Sequence, residues 1–323
     1  MKEQAFNVLL WGDKRYQSLN YYLRKKFKEK VFKIPLDAGF TCPNRDGTLA
    51  YGGCSFCSPR GSGDFTAGSE FHLKEQFLLG KEMMQNKWKT SKYIIYFQAY
   101  TNTYASAEKL KQTYECLLAE PGVVGIAIST RPDCVNPEVL RLLQELNQTH
   151  YLWVELGLQT IHGKTAETMN MCYDLSDFKK TLAALQSYDI ETCAHIILGL
   201  PGETRTEMLA TGYVIAQLPL QGLKIHLFHL MQDTALAERY QSKQFEFLSQ
   251  REYVDLVVDV LEILPPGLVI HRLTGDSPRE RLIAPKWSLN KWETLNLIDQ
   301  RLIQRNTWQG KKYKCSGNKA GDL

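Results

Sequence analysis

The sequence lacks the features of a membrane or secreted protein. No apolar stretch in its 323 residues approaches the roughly 20 residues that a membrane-spanning helix needs. The first residues, MKEQAFNVLLWGDKRYQ, contain no long apolar segment followed by a small-residue cleavage site. No internal repeat, low-complexity tract or linker divides the chain. With 44% hydrophobic and 23% charged residues, the composition is typical of a globular protein, and we expect a cytoplasmic, reducing location.

Cysteine is concentrated in one place. Three of the eight cysteines lie in GFTCPNRDGTLAYGGCSFCSPRGSGDF, residues 39–65, where the many Gly, Pro, Asn and Ser residues predict a loop. In a reducing compartment, clustered cysteines favour metal binding or catalysis over disulfides. Cys42, Cys54 and Cys57 suit a [4Fe–4S] cluster that keeps one iron open. A zinc site with His72 as the fourth ligand fits the same three residues equally well.

The remaining candidate ligands are scattered along the chain. Cys116, Cys134, Cys172 and Cys193 are isolated from one another, and we expect buried apolar cysteines at these positions. His195, His226 and His229 fall in apolar segments, where hydrogen-bonded core histidines are the default expectation. A substrate contact at His226 or His229 is the alternative.

Short apolar segments alternate with amphipathic ones, which predicts an α/β fold with a parallel sheet. We predict strands at 31–40, 93–100, 123–130, 151–159, 190–200 and 223–231, and helices at 73–88, 105–119, 136–148, 163–187 and 203–218. Six such units predict a partial (β/α)6 TIM-like barrel over residues 31–265, with functional residues at the carboxyl ends of the strands. A basic N-terminal segment (1–33) precedes it, and a C-terminal extension with a closing helix (266–323) is expected to pack on it.

Four motifs in order resemble a known family. The three-cysteine loop follows the first strand, and STRPD (129–133), VELGLQT (154–160) and HIILGLPGET (195–204) fall at the ends of the third, fourth and fifth strands. This arrangement resembles the radical S-adenosylmethionine (SAM) enzymes. The long C-x11-C-x2-C spacing resembles the branch that contains the Elongator catalytic subunit and the bacterial YhcC/YtqA-type proteins. LTGDSPRERLIAPKWSLNKWE, near the C-terminus, extends the resemblance to the YhcC/YtqA type.

The resemblance implies a cofactor set and its ligands. Cys42, Cys54 and Cys57 would hold a [4Fe–4S] cluster whose open iron chelates SAM, and reductive cleavage of SAM would give a 5′-deoxyadenosyl radical that abstracts hydrogen. The SAM contacts expected at the strand ends are Gln98, Asn102, Ser129, Arg131, Glu155, Gln159, Ile197 and Gly199. A reducing protein such as flavodoxin or ferredoxin would supply the electron.

Basic residues at both ends of the chain suggest an RNA partner. Residues 1–33 carry a net charge of +6 and residues 301–323 a net charge of +5, whereas the residues between them carry −7. Lysines and arginines alternate with aromatic residues in both segments, which suits phosphate attraction and base stacking. The predicted RNA-binding residues are Arg24, Lys25, Lys26, Lys311 and Lys312.

The Elongator-like resemblance points to a tRNA wobble uridine as the substrate. The specific hypothesis is conversion of carboxymethylaminomethyluridine to aminomethyluridine by hydrogen abstraction from the glycine-like CH2. Two alternatives stay open at this point: a radical SAM enzyme acting on a small molecule or peptide, and a zinc-binding, non-enzymatic RNA-binding module.

Overall fold

Strands and helices alternate along most of the chain. The structure is a computed structural model that describes residues 11–86, 88–240 and 246–314. The strands are β1 (Val31–Leu36), β2 (Lys92–Phe97), β3 (Val123–Thr130), β4 (Tyr151–Gln159), β5 (Glu191–Leu198), β6 (Gly222–Leu227), β7 (Leu230–Met231), β8 (Val269–Arg272) and β9 (Leu282–Ala284). The helices are α1 (Leu19–Phe27), α2 (Leu73–Gln85), α3 (Ala107–Leu118), α4 (Pro137–Thr149), α5 (Gly163–Thr168), α6 (Leu175–Ser187), α7 (Arg205–Gln217), α8 (Ala235–Tyr240), α9 (Gln250–Ile263) and α10 (Lys291–Gln304). None of the described helices is long and apolar enough to cross a membrane.

The main sheet is an open barrel. Within the described residues, seven strands pair in parallel in the order β1-β2-β3-β4-β5-β6-β8, and the two outer strands, β1 and β8, are not paired with each other. A separate antiparallel pair joins β7 to β9. This arrangement confirms the predicted α/β fold with a partial TIM-like barrel.

The two faces of the sheet differ in chemistry. Successive side chains on a strand point to opposite faces, so alternate residues either face the helices or face the lumen. The helix-facing positions are buried and apolar, and include Ile34, Leu36, Ile95, Phe97, Ile126, Ile128, Val154, Leu156, Ala194, Ile196, Leu223 and Ile225. The intervening positions carry Lys33, Tyr96, Glu155, His195 and Lys224. Because a sheet covered on both faces usually carries apolar residues throughout, this polarity marks the lumen as the functional face.

Helix α1 closes the end of the barrel where the strands begin. Ser18 caps the helix, since its hydroxyl accepts a hydrogen bond from the Tyr21 backbone N–H at 3.2 Å. Leu23 packs in a buried apolar cluster with Val31 and Trp153, which come from the first halves of β1 and β4. This end of the lumen is therefore filled by side chains, and the other end, where the strands finish, is the open one.

The structure has one more barrel strand than the six predicted. Strand β8 pairs with β6 and lies inside the predicted C-terminal extension, 266–323. Its four residues lie in a turn-rich stretch, so the sequence carried little strand signal there. Helix α10 corresponds to the predicted closing helix and packs on α9. Residues 1–10 of the predicted basic segment and 315–323 of the predicted extension lie outside the described residues.

The single helix predicted over 163–187 is two helices in the structure. Helix α5 ends at Thr168, and α6 begins after Asp174, whose carboxylate accepts hydrogen bonds from the backbone N–H groups of Ser176 and Asp177. Between the helices, Asn170 and Cys172 have φ angles of 53° and 60°, in the left-handed region that ends regular helix. Of the four cysteines that we expected to be buried, Cys193 is buried and Cys134 is half-buried, whereas Cys116 and Cys172 are exposed.

Candidate functional site

A cavity of about 570 Å³ opens at the carboxyl ends of the strands. Its lining brings together residues that are far apart in the sequence, from the cysteine loop after β1 and from the lumen-facing positions of the strands. All three predicted cluster ligands, Cys42, Cys54 and Cys57, line it. The topology places them there because the loop leaves β1 at the same end where the other strands finish.

The cysteine loop, residues 37–72, is held by hydrogen bonds to the break between α5 and α6. Ser55 N–H donates to Met169 O at 2.8 Å, and Asn170 Nδ2 donates to Gly53 O at 2.9 Å. On the opposite side of the loop, Tyr100 N–H donates to Gly61 O at 2.8 Å. A Cβ on Gly61 would lie 2.3 Å from the Tyr100 ring, so only glycine allows this close contact. The loop is therefore a fixed structure rather than a loose connection.

The three cysteines are free thiols with unequal environments. The neighbouring Cys57 thiol, together with burial, raises the pKa of Cys54 above its ordinary value. The neighbouring Cys54 thiol and the Arg45 guanidinium lower the pKa of Cys57 to about 7 despite its burial. A lowered thiol pKa favours the thiolate, which is the form that ligates iron.

Arg131 lies beside the cysteines, and one of its guanidinium nitrogens makes no hydrogen bond to the described residues. Its Nε and one terminal nitrogen bind the Asp133 carboxylate at 2.9 and 2.7 Å, and the guanidinium lies 4.7 Å from the centre of the Tyr173 ring. The other terminal nitrogen is buried and has no hydrogen-bond partner among the described residues. Leaving a buried donor unpaired is costly, so this nitrogen suits an anionic group bound in the cavity.

Five of the eight predicted SAM contacts line the cavity: Gln98, Ser129, Arg131, Gln159 and Ile197. Gln159, at the end of β4, has a φ of 64°, a conformation that is uncommon for residues other than glycine and that occurs at functional sites. A Cβ on Gly157 would lie 2.9 Å from Gln159 Nε2, so glycine at 157 leaves room for that side chain.

The other three predicted contacts do not line the cavity. Asn102 is buried and donates from Nδ2 to Ser129 O at 2.9 Å, which ties the end of β2 to β3. Gly199 forms the turn after β5 with a φ of 85°, beside Leu248. Glu155 has no exposed surface, because protein donors surround its carboxylate. Of these three residues, Gly199 directly follows its strand, Asn102 lies in the loop after β2, and Glu155 lies in the middle of β4 rather than at its end.

Glu155 is the centre of a polar layer that forms the floor of the cavity. It accepts hydrogen bonds from Lys33 Nζ at 2.9 Å, His195 Nε2 at 3.0 Å and Trp153 Nε1 at 3.0 Å, and it contacts Lys224. Burial alone would raise the pKa of Glu155, but Lys224, Lys33 and His195 hold it well below its ordinary value. The carboxylate is therefore ionised and fixes the positions of both lysines.

The histidines that line the cavity are half-buried and neutral. Burial lowers the pKa of His195 and of His229 to about 4, and lowers the pKa of His226 well below its ordinary value. The Nε2 atoms of His226 and His229 have no hydrogen-bond partner in the described part of the chain. Both residues line the cavity, so they are not the hydrogen-bonded core histidines that we expected.

Sequence reasoning missed a large part of the cavity lining. Lys33, Tyr96, Tyr173, Lys224, His271 and Arg272 line the cavity but were not predicted site residues. The signal was present in β6, where Lys224 and His226 alternate with Leu223, Ile225 and Leu227. A polar residue at every second position of a strand otherwise buried on both faces indicates a lumen that binds something.

The predicted RNA-binding residues lie away from the cavity. Arg24, Lys25 and Lys26 are exposed on α1, at the end of the barrel where the strands begin. Lys311 donates to Asn306 O at 2.7 Å, and Lys312 pairs with Glu262. The C-terminal segment contacts the N-terminal one, since Gln309 N–H donates to Arg15 O at 2.9 Å. The two basic segments therefore share one end of the molecule, opposite the cysteines.

These features define a radical SAM enzyme, and the chain belongs to the radical SAM superfamily. Residues 42–211 match the superfamily, and residues 220–304 match the radical SAM C-terminal domain. The chain is 50% identical over 302 residues to uncharacterized protein YtqA of Bacillus subtilis. The aligned region covers 94% of each chain. That similarity confirms the resemblance seen in the sequence.

More distant similarities connect the chain to the Elongator branch. It is 26% identical over 164 residues to tRNA uridine(34) acetyltransferase of Dehalococcoides mccartyi. The aligned region covers 50% of this chain and 35% of that enzyme. The structure of archaeal Methanocaldococcus infernus Elp3 superimposes with a TM-score of 0.65, and the match covers 86% of this chain and 64% of that one. At 16% identity, the second similarity shows a shared fold.

The site fits the cofactors that this family uses, a [4Fe–4S] cluster and SAM. Three free thiols line the cavity and would ligate the cluster. The unpaired, buried guanidinium nitrogen of Arg131 belongs to the same cavity and would bind the carboxylate of SAM. When bound, the two groups supply a 5′-deoxyadenosyl radical by reductive cleavage of SAM. The chain supplies the ligands and a lumen sealed at one end. The zinc alternative has no support, because His72 is exposed at the start of α2 and does not line the cavity.

Proposed function

We propose that this enzyme modifies the C5 side chain of a tRNA wobble uridine, with Cys42, Cys54 and Cys57 as the cluster ligands. The substrate would be carboxymethylaminomethyluridine and the product aminomethyluridine. The observation that carries the proposal is a single cavity that joins the three cysteines to a floor with excess positive charge. A nucleotide side chain that ends in a carboxylate suits such a cavity.

Aromatic side chains on the cysteine loop support a nucleic-acid substrate. Tyr51 is 80% exposed, Phe65 is 53% exposed and Phe71 is 43% exposed. Phe65 lines the cavity, and Tyr51 and Phe71 lie elsewhere on the same loop. Exposed aromatic rings provide stacking surfaces for unpaired bases, which is how proteins usually hold single-stranded RNA loops. The similarity to a tRNA uridine(34) acetyltransferase points to the same substrate class.

The proposed reaction balances with SAM as its oxidant. The substrate CH2 lies between an amine and a carboxylate, and both stabilise the radical left by hydrogen abstraction. Loss of one electron and one proton then gives an imine, and water cleaves it to aminomethyluridine and glyoxylate. Conversion of SAM to methionine and 5′-deoxyadenosine takes up one hydrogen atom and one electron, so each product requires one SAM. A flavodoxin or ferredoxin would supply the electron for the first cleavage of SAM, and the electron lost from the substrate radical would replace it, so that the reductant is needed only to start the cycle.

The test uses tRNA from a strain that lacks this gene. Purified enzyme, reconstituted without oxygen, is incubated with SAM, a reductant and tRNA from either the deletion strain or its parent. We expect 5′-deoxyadenosine and glyoxylate in equal amounts with deletion-strain tRNA, and little of either with parental tRNA, which is already modified. A Cys54→Ala variant serves as the control for cluster-dependent cleavage. Unchanged wobble nucleosides in the deletion strain, measured by mass spectrometry, would contradict the proposal.

A further inference from the structure

The cavity floor holds two ammonium groups around one carboxylate. Lys33 Nζ lies 2.9 Å from one Glu155 oxygen, and Lys224 pairs with the other. Lys33 comes from β1 and Lys224 from β6, so the pair brings opposite sides of the barrel together. When Lys224 is protonated, the two cations and one anion leave an excess charge of +1 in a largely buried place.

The other charged groups of the floor do not compensate for this excess. Arg131 pairs with Asp133 at 2.7 Å, whereas Arg272 shares the Asp276 carboxylate with Lys291, at 3.3 and 2.6 Å, so neither arginine brings a spare negative charge to the floor. The four histidines that line the cavity, His195, His226, His229 and His271, are neutral because burial lowers their pKa values. A buried unpaired charge is strongly unfavourable, which leaves the floor one anion short.

Hydrogen-bond donors are also left over. An ammonium group has three donors. Within the described residues, Lys33 Nζ donates only to Glu155, whereas Lys224 Nζ donates to Glu155 and to Tyr96 Oη, the latter at 3.0 Å. Three ammonium donors therefore have no hydrogen-bond acceptor among the described residues, although both ammonium groups also contact the face of the Tyr96 ring, at 4.2 and 4.5 Å. The unpartnered His226 Nε2 lies in the same lining.

We propose that Lys33 and Lys224 form a binding site for a substrate carboxylate, and that Glu155 is a positioning residue that holds the two ammonium groups in place. This proposal rests on the proposed function, because it assigns the site to the carboxylate next to the carbon that loses hydrogen. A carboxylate carries one negative charge, which matches the excess of +1. A phosphate monoester carries about −1.5 to −2 at neutral pH and would leave the floor with excess negative charge.

The site is separate from the cysteine end of the cavity. The spare nitrogen of Arg131 lies near the cysteines and is available there for the carboxylate of SAM. The lysines, by contrast, come from the first halves of β1 and β6, deeper in the lumen. Substrate carboxylate and SAM carboxylate therefore have different partners, and binding measurements can distinguish them.

The test compares a carboxylate with its neutral ester. Dissociation constants are measured by calorimetry for carboxymethylaminomethyluridine nucleoside and its methyl ester, with reconstituted enzyme and SAM present. In Lys33→Met and Lys224→Met we expect binding of the acid to weaken about 10- to 100-fold, since each loses a charge-assisted hydrogen bond. Binding of the ester should change little, and Lys33→Arg should retain most of the affinity. Lys92→Met is the matched control, because Lys92 pairs with Glu29 and does not line the cavity.

Two results would overturn the assignment. One is equal weakening of acid and ester, which would indicate a general packing defect, and thermal melting of each variant identifies that case. The other is an equal loss of SAM affinity in the lysine variants, which would show that the lysines bind SAM rather than the substrate.

A second probe pair, N-methylglycine and its methyl ester, separates this proposal from the proposed function. Lysine-dependent binding of N-methylglycine with no change in any tRNA would support the carboxylate site and remove the tRNA substrate, whereas no binding of either acid would remove the site.

Discussion

The ionisation of Lys224 is set by the groups around it. Burial lowers its pKa to about 7, Glu155 opposes that shift, and Lys33 and Arg272 add to it. The remaining neighbours, Tyr96 and the lumen histidines, are neutral near pH 7. A carboxylate bound next to Lys224 would favour the ammonium form, so binding above the pKa of the free enzyme requires uptake of a proton.

Carboxylate affinity should therefore depend on pH in one direction. Below about pH 7 the lysine is already charged and affinity should be constant. As the pH rises above about 7, affinity should fall by up to about tenfold per pH unit, because the neutral amine must first be protonated. The measurement is the dissociation constant of the nucleoside acid between about pH 6 and pH 9. The methyl ester should show a flat profile, and so should the acid with Lys224→Met; a sloping profile for that variant would assign the titration to another group.

At the scale of strands and loops, the sequence predicts where the cysteine loop lies but not which side chains meet between distant strands. The cysteines were placed correctly because a loop that follows a parallel strand must lie at the carboxyl end of the barrel. The ion-pair layer was not predicted, because Lys33 and Glu155 are 122 residues apart and Glu155 and Lys224 are 69 apart. Contacts between distant strands depend on the register of the whole sheet, which local pattern does not specify.

The break between α5 and α6 illustrates a second limit. The stretch over 163–187 has helical apolar spacing, but Asn170 and Cys172 adopt left-handed backbone and leave peptide groups free to bind the cysteine loop. Short-range propensity is overridden there by a tertiary contact, Ser55 N–H to Met169 O. Such overrides are expected at functional sites, where local preference and function conflict.

The cysteine loop should contribute directly to RNA binding through Tyr51. Replacing Tyr51 with Ala removes an exposed ring, and the loss of one stacked base should weaken tRNA binding by about 5- to 100-fold, from roughly 1–3 kcal/mol per base. Tyr213→Ala is the matched control, since Tyr213 is 57% exposed on α7, outside the cavity lining. Filter binding of labelled tRNA measures both. Equal affinities for the two variants would place the anticodon loop elsewhere.

At the scale of the whole molecule, folding joins the two basic ends of the chain into one surface. Gln17 N–H donates to Gln309 Oε1 at 3.0 Å, and Ile270 N–H donates to Gln17 O at 2.7 Å, so both segments lie where β8 begins. The cysteine loop lies where the strands finish. Strands β1 and β6 have six residues each and span roughly 20 Å, so the basic surface and the cysteine loop lie at opposite ends of these strands.

That separation predicts different roles for the two ends. Neutralising Arg24, Lys25 and Lys26 together to Ala should weaken binding of full-length tRNA and lower the salt dependence of its affinity. The log–log slope should fall by about 0.7–0.9 for each phosphate that the variant no longer neutralises. Binding of an isolated anticodon stem-loop should change little, because the fragment reaches only the cavity end. Lys179→Ala with Lys180→Ala, exposed on α6, is the control.

The comparison of the two RNAs decides what the basic surface does. If full-length tRNA and the stem-loop weaken equally in the triple variant, the basic surface must act on the anticodon end, which the barrel geometry opposes. If neither weakens, the positive charge at this end of the molecule has no part in RNA binding. Selective weakening of the full-length tRNA would mean that the enzyme holds the body of the tRNA at one end of the barrel while the reacting nucleotide enters the other.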